Sequence, residues 1–404
     1  MTPTNLMQAS SQWAERPDDE RFWTLDEMYR ATAESRRAST VATVDLRGDA
    51  FAFYPHHDGI RATWRDIAED GGGARTARMT HYAFGQMCRT FDAPASYLRT
   101  LDNDTAVRCL SRGHHQWMSR ASVSGTPTTR QLLIHQNGSK TIRAATSERY
   151  VRVWNEEIVR RLVDLQDDGW RVPPARPASM DGRTRIATPD DVIDWGCESA
   201  LTVKEGDVIG PAGLYASDHD MFAFLIHPDV VIDNGTPGGM RRGTMVRQSE
   251  VGDCAIWKLD FLFDVVCGNH IVWGAQNIRE TRVRHAGSSV GERWVAMVRA
   301  IDEYAQGSPG EQEAKIREAR ETLLGNDGDE VVDFLFGKRL LSKRDAKRAF
   351  KVAEEHESIH GDPRSAWGIV SGLTRMSQDT AFADKRASTD LAAGKILAQA
   401  ISLN

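Results

Sequence analysis

Arginine is the side chain whose spacing in this sequence could do the most chemistry. Arg241, Arg242 and Arg247 fall in one β-forming segment, and Arg279, Arg282 and Arg284 in another with His285 beside them. Arg143, Arg149 and Arg152 make a third group. On a strand, Arg282 and Arg284 share a face because side chains alternate with a period of two. Between Gly239 and Ala300 nine Lys or Arg stand against six Asp or Glu, a positive stretch in a chain of formal net charge −6. Guanidinium forks suit bidentate phosphate contact. With Tyr150, Trp154 or Trp273 to stack bases, the three groups would line a groove that tracks a nucleic-acid backbone. The competing reading is a solvated sheet face on which each Arg sits beside a carboxylate, an arrangement worth little per pair.

Other constellations are weaker. Cys254, Cys267 and His270 are spaced C-x12-C-x2-H, with Asp218, His219 and Asp220 upstream. Zinc needs four protein ligands, or three and a water. This spacing matches no zinc knuckle, and both cysteines sit in apolar runs that favour buried thiols. No metal is expected. Ser249-Glu250 near His270 lacks the G-x-S-x-G nucleophile elbow. Asp260 and Asp264 would lie one turn apart on a helix and could hold Mg²⁺ through two carboxylates. With Glu250 and His270 they define the enzymatic alternative, a metal-dependent nuclease or other hydrolase. A more ordinary role for Ser249, Glu250 and Asn269 is to hydrogen-bond a tight loop or bulge. The glycines at 71–73 lack the Lys and Ser/Thr of a phosphate-binding loop. Lys343, Arg344, Lys347 and Arg348 read as the solvated face of a capped helix.

The elements that must position these groups fit a chain of 404 residues, 40% of them hydrophobic, long enough for two or three domains. Wholesale disorder and histone-like basicity are both excluded. No window of 18 consecutive apolar residues is present, and the first residues lack the apolar core of a secretion signal. The five cysteines form no C-x-x-C pair, which favours free thiols in a reducing cytoplasm. A helix is expected around 23–35. Two strands follow over 39–54 about an Arg47-Gly48-Asp49 turn, then a flexible break at 68–76. Apolar periodicity gives a helix over 79–91 with Thr80 as its cap, and a second helix from Pro94 to about 112. Asn137-Gly138 marks a hairpin over 130–153, and Asn155 can cap a helix to Leu165. Residues 171–189 read as an exposed linker. The 200–278 stretch is strand-rich, with a short helix expected inside 254–266. From Ser288 the chain reads as helical, with Ser342 and Asp362 as caps.

The region from Gln131 to Arg375 resembles the phage- and plasmid-related family known as domain of unknown function nine-thirty-two. The likeness rests on Arg143-Ala144-Ala145-Thr146-Ser147-Glu148-Arg149-Tyr150, on Ser249-Glu250-Val251-Gly252, on Cys267-Gly268-Asn269, and on a helical tail carrying Ser365-Ala366-Trp367-Gly368. The sequence departs from the family pattern at Gln248, where Asn is usual, and at His270 and Trp273. The resemblance implies a role in the DNA metabolism of a mobile element and transfers no catalytic residue.

The expectation is thus an α+β protein in three parts. A helical and β-hairpin region spans 1–125, a mostly antiparallel β-rich core with packed helices spans 126–287, and a helical domain spans 288–404. The hairpin-then-helix order is like that of single-strand annealing proteins, an analogy of fold alone. The expected activity is binding of single-stranded DNA by a phage, prophage or plasmid protein, with annealing or recombination as its use. It would be a cytoplasmic homo-oligomer with no cofactor and no membrane contact. A third possibility is a non-enzymatic protein that binds a host partner through its helical tail.

Overall fold

The computed structural model describes residues 17–47, 50–65, 73–173, 182–197, 202–211, 213–265, 270–271, 281–378 and 392–399. Helix α1 (Leu25–Arg37) is capped by Thr24, whose hydroxyl accepts from the Glu27 amide. Acidic residues fill its first turn and Arg36 and Arg37 its last, matching the helix dipole. Six strands then build the first sheet: β1 (Ser39–Asp45), β2 (Phe51–His56), β3 (Gly59–Trp64), β4 (Arg75–Met79), β5 (Thr129–Asn137) and β6 (Ser139–Ser147). Their order is β1-β5-β6-β4-β3-β2, antiparallel except where β4 meets β6. Between β4 and β5 run α2 (His81–Thr90), α3 (Ala95–Leu98) and α4 (Asn103–Ser124). They cover one sheet face, where Phe51, Phe53, Trp64 and Ile142 meet Met87, Phe91, Leu110 and Trp117.

The Asn137-Gly138 hairpin forms as expected, with Gly138 at φ +70°, a value glycine adopts without strain. The expected 39–54 hairpin does not form. β1 pairs along its whole length with β5, while β2 pairs with β3, so the two strands end at opposite edges. Phe51 and Phe53 find Trp64 and Ala62 across the β2–β3 ladder, and that burial decides the pairing. β5 and β6 complete this sheet, so a boundary after residue 125 runs through it.

A second layer follows. Helix α5 (Asn155–Asp164) leads to a two-stranded ribbon of β7 (Arg185–Ile186) and β8 (Val208–Ile209). The second sheet contains β9 (Leu214–Ala216), β10 (Met221–Ile232), β11 (Met240–Gln248), β12 (Ile256–Asp264), β13 (His270–Ile271) and β14 (Thr281–Val283). It runs β9-β10-β11-β12-β13, with β14 also on β12 and all pairs antiparallel. Leu25, Met28, Ile158, Leu162, Trp294 and Ile301 pack on one face, against Met221, Ala223, Val246 and Ile256. Trp195, Tyr215, Phe222, Phe224, Trp257 and Phe261 close the other. Burial on both faces makes such strands read as near-continuous apolar runs. This is why β12 imitates a helix in sequence, and the expected helix inside 254–266 is absent.

The C-terminal helices are α6 (Val290–Gln306), α7 (Gly310–Glu321), α8 (Gly328–Gly337), α9 (Lys343–Glu355), α10 (Glu357–His360) and α11 (Ala366–Gln378), with a further helical turn over 392–399. Trp367 is fully buried among Ile316, Val331, Leu335 and Val370. Ser342 caps α9 as expected, but Ser365 rather than Asp362 caps α11, accepting from the Gly368 amide. The whole is an α+β fold. Among the described residues no helix is long and apolar enough to cross a membrane.

Two consequences are measurable. A Cβ on Gly372 would stand 2.4 Å from the Ala349 carbonyl oxygen of α9. Gly372→Ala is therefore expected to destabilise the fold by about 1–3 kcal/mol in urea denaturation. Burial lowers the pKa of His114, His285 and His360, that of His360 to about 4. Such groups protonate more readily when unfolded, so stability is full above about pH 6.5 and falls as the pH drops toward the folded values. His360→Gln should flatten that decline in a pH series of denaturation midpoints.

Candidate nucleic-acid interface

Four of the arginines named from the sequence lie inside the protein. Arg241, 3% exposed, donates to the carbonyls of Pro228, Gly238 and Trp195. Arg242 donates to the Ala305 carbonyl and the Gln312 side chain and lies over the Tyr304 ring. Arg247 reaches Asp220 and Asp253 at 3.3 Å each. Arg143 reaches Glu250 at 3.1 Å and the Asp218 carbonyl at 2.8 Å. The physical reason is coverage: β11 is packed on both faces, so an Arg there meets protein rather than solvent. Arg152 is half-buried, donates to the Glu250 carbonyl, and lies over the rings of Tyr150 and Trp154. Tyr150 donates to the Ser249 carbonyl at 2.8 Å and stacks on His285, and Trp154 is also covered by Arg36. Arg149, Arg282 and Arg284 are exposed. Arg279, Trp273 and Cys267 fall outside the described residues. The 150–286 backbone bridge brings the hairpin's end beside β14. Two of the three groups thus meet, but among the described residues no trough joins all three.

What the buried set builds instead is a junction between the sheets. In β6, Ala144 pairs with Leu133 and Ile142 with Ile134, so Arg143 is the extra residue of a bulge. Bulges re-aim side chains, and this one turns Arg143 toward Glu250. The Glu250 carboxylate also accepts from the Asn155 amide at 2.7 Å, which makes Asn155 a recipient's partner rather than the cap of α5. The Ser249 hydroxyl donates to the His219 carbonyl and accepts from the Val251 and Asp253 amides. Gln86 of α2 holds the Val251 carbonyl at 2.8 Å. Gly252 sits at φ +86°, a conformation that residues with a side chain rarely adopt, and packs beside Tyr150 and Thr146. The Arg143–Tyr150 and Ser249–Gly252 motifs therefore meet in space, as partners in one hydrogen-bonded loop.

The enzymatic constellation comes apart. Asp260 and Asp264 lie on strand β12, four residues and about 13 Å apart along it, too far to share one cation. Asp260 is buried against Lys258 and Thr244, and burial raises its pKa. Burial likewise pushes the Cys254 thiol up to about 12, so it is a poor nucleophile. Among the described residues no group of three His, Cys, Asp or Glu is placed to hold a metal.

A surface that the arginine groups did not indicate lies on the first sheet, on the face away from α2–α4. Direct cross-strand partners run Tyr54–Arg61–Arg78–Thr141–His135–Ser39 across all six strands. Partners in register point to the same side. The β2–β4 end of this row is open to solvent: Arg78 is exposed and Tyr54 and Arg61 are half-exposed. Arg61 and Arg78 stand directly opposite each other, a repulsive placement. Asp58 pairs with Arg61 at 2.9 Å, and that guanidinium holds the Asp58 carboxyl well below the usual range. Thr63 and Thr76, opposed one row along, share a hydrogen bond at 3.2 Å. The other end of the row reaches a cavity of about 520 Å³ whose wall includes His135, Arg143, Asp218 and Glu250. A signal for this surface was present: residues 75–147 hold ten Lys or Arg against three Asp or Glu.

Comparison with family models, with curated proteins and with solved structures gives no match for this chain.

The junction has its own test. Arg143→Met should cost about 3–5 kcal/mol by leaving Glu250 buried and unpaired. Adding Glu250→Gln to the same chain should return part of that loss in urea denaturation. A coupling below about 0.5 kcal/mol would mean that the two residues act independently.

Proposed function

We propose that this protein binds single-stranded nucleic acid across the open face of its first sheet. The observation that carries the reading is the opposed pair Arg61 and Arg78, with Asp58 paired to Arg61 and the Tyr54 ring beside them. Two like charges held at neighbouring strand positions are relieved by an anion lying between them, and a phosphodiester is such an anion. A tyrosine beside them offers a face to a base without reading its sequence. Threonines on the same face add neutral donors for phosphate oxygens. The excess of Lys and Arg over 75–147 supplies a field that draws a polyanion to this part of an otherwise acidic chain. Strand backbone bound this way leaves base edges free to pair. With the resemblance to phage- and plasmid-related proteins, the proposal extends to strand annealing or recombination for a mobile element. In that setting the protein acts in the cytoplasm as a homo-oligomer and without a cofactor.

Fluorescence anisotropy with a labelled homopolymeric oligonucleotide tests this. Affinity should fall steeply with salt, the log–log slope losing about 0.7 for each phosphate contact removed. Arg78→Ala should weaken binding and lower the slope by about that much, and Tyr54→Ala should cost about 1–3 kcal/mol of binding with the slope unchanged. Arg282→Ala with Arg284→Ala should leave affinity intact. Absence of binding at about 50 mM salt, or binding that only the Arg282 and Arg284 changes abolish, would defeat the proposal.

A further inference from the structure

Beneath the C-terminal end of α6 lies a cavity of about 430 Å³, with no first-sheet residue in its lining. It is lined by the turn at Asp168, by His227 and Val230 of β10, by Asp302, Ala305 and Gln306 of α6, and by residues 307–309 after it. His227 is 9% exposed. Its Nε2 lies 2.9 Å from the Asp168 carbonyl oxygen. A carbonyl only accepts, so Nε2 carries a proton, and in the tautomer with that one ring proton Nδ1 presents a lone pair. That Nδ1 is buried and has no hydrogen-bond partner. Asp302 Oδ1 is likewise buried and without a partner. Two acceptors thus border one cavity with nothing donated to them, an arrangement that costs free energy for each unsatisfied group.

The carboxylates of Asp168, Asp302 and Glu303 gather at this end of α6, with the Arg242 guanidinium spent on the Ala305 carbonyl. Burial and the nearby carboxylates of Asp168 and Glu303 act together on Asp302 and raise its pKa, with no cation among the causes. The C-terminal end of α6 adds the negative pole of its dipole. The site therefore asks for a cation that also donates hydrogen bonds. A bare metal ion is disfavoured, because among the described residues no three His, Cys, Asp or Glu converge at coordinating distance. The space also exceeds what one ion needs.

We propose that this cavity binds a small aliphatic amine, its primary ammonium group donating to Asp302 Oδ1 and His227 Nδ1 while Asp168 supplies further negative charge. An –NH₃⁺ group has three donors and no acceptor, which matches the two unpartnered acceptors. Val230, Ala305 and Pro309 supply apolar surface for a short methylene chain. The occupant is a free diamine or polyamine.

The test titrates putrescine, and separately spermidine, into the full-length protein by isothermal calorimetry, with MgCl₂ at matched ionic strength as a parallel arm. Saturable binding of an amine is expected, and Asp302→Asn should weaken it roughly tenfold or more, the usual loss on removing a charged hydrogen-bond partner. Asp168→Asn, which keeps the backbone carbonyl that holds His227, should weaken it less and gives an independent reading if the first variant folds poorly. No heat from either amine, equal affinity in both variants and the unaltered chain, or an Asp302-dependent response to Mg²⁺ alone would each overturn the proposal.

Discussion

The contact on which most of the architecture depends is the buried ion pair of Arg143 and Glu250. A charge withdrawn from water is tolerable only with an opposite charge and full hydrogen bonding. Both are present: Glu250 accepts from Arg143 and from the Asn155 amide, and Arg143 also donates to the Asp218 carbonyl. Arg143 belongs to the first sheet, Asn155 to the helix after it, and Glu250 to the loop after β11. One pair therefore fixes the first sheet, helix α5 and the second sheet relative to one another. Arg152 and Gln86 reinforce the same loop through its carbonyls.

This arrangement explains why arginine was an ambiguous guide. Guanidinium suits a phosphate and a buried carbonyl cage for the same reason, a rigid fork of donors. Arg241 and Arg242 sit in runs such as Met240–Gln248, where no residue type announces that both faces are covered. The deciding fact was tertiary, the packing of α6 on one side and of Trp195, Tyr215 and Phe222 on the other. Local signals with a local cause were legible: the Gly138 turn, the Thr80 and Ser342 caps, and the C-terminal amphipathic helices. The row from Tyr54 to Ser39 was not, because it exists only once six strands distant in sequence are placed side by side. Its charge excess over 75–147 was readable, but that excess does not say which of the residues share a face.

The same physics separates the two surfaces that remain for ligands. The open sheet face holds excess positive charge at positions where solvent screens it. The cavity under α6 holds acceptors that no protein donor meets. The first suits an extended, multiply charged chain and the second a compact cation, so their occupants need not compete.

The strand order has a bearing on biosynthesis. β1 can find its neighbour only after β5 has left the ribosome, whereas β2, β3 and β4 can pair as they emerge. Until then the nascent polypeptide carries an unmated β1 whose alternate residues Ala42 and Val44 are destined for the interior. Arrival of the Asn137-Gly138 turn lets β5 and β6 enter together between the waiting partners, so completion of the first sheet is a single event that waits for β6 to emerge.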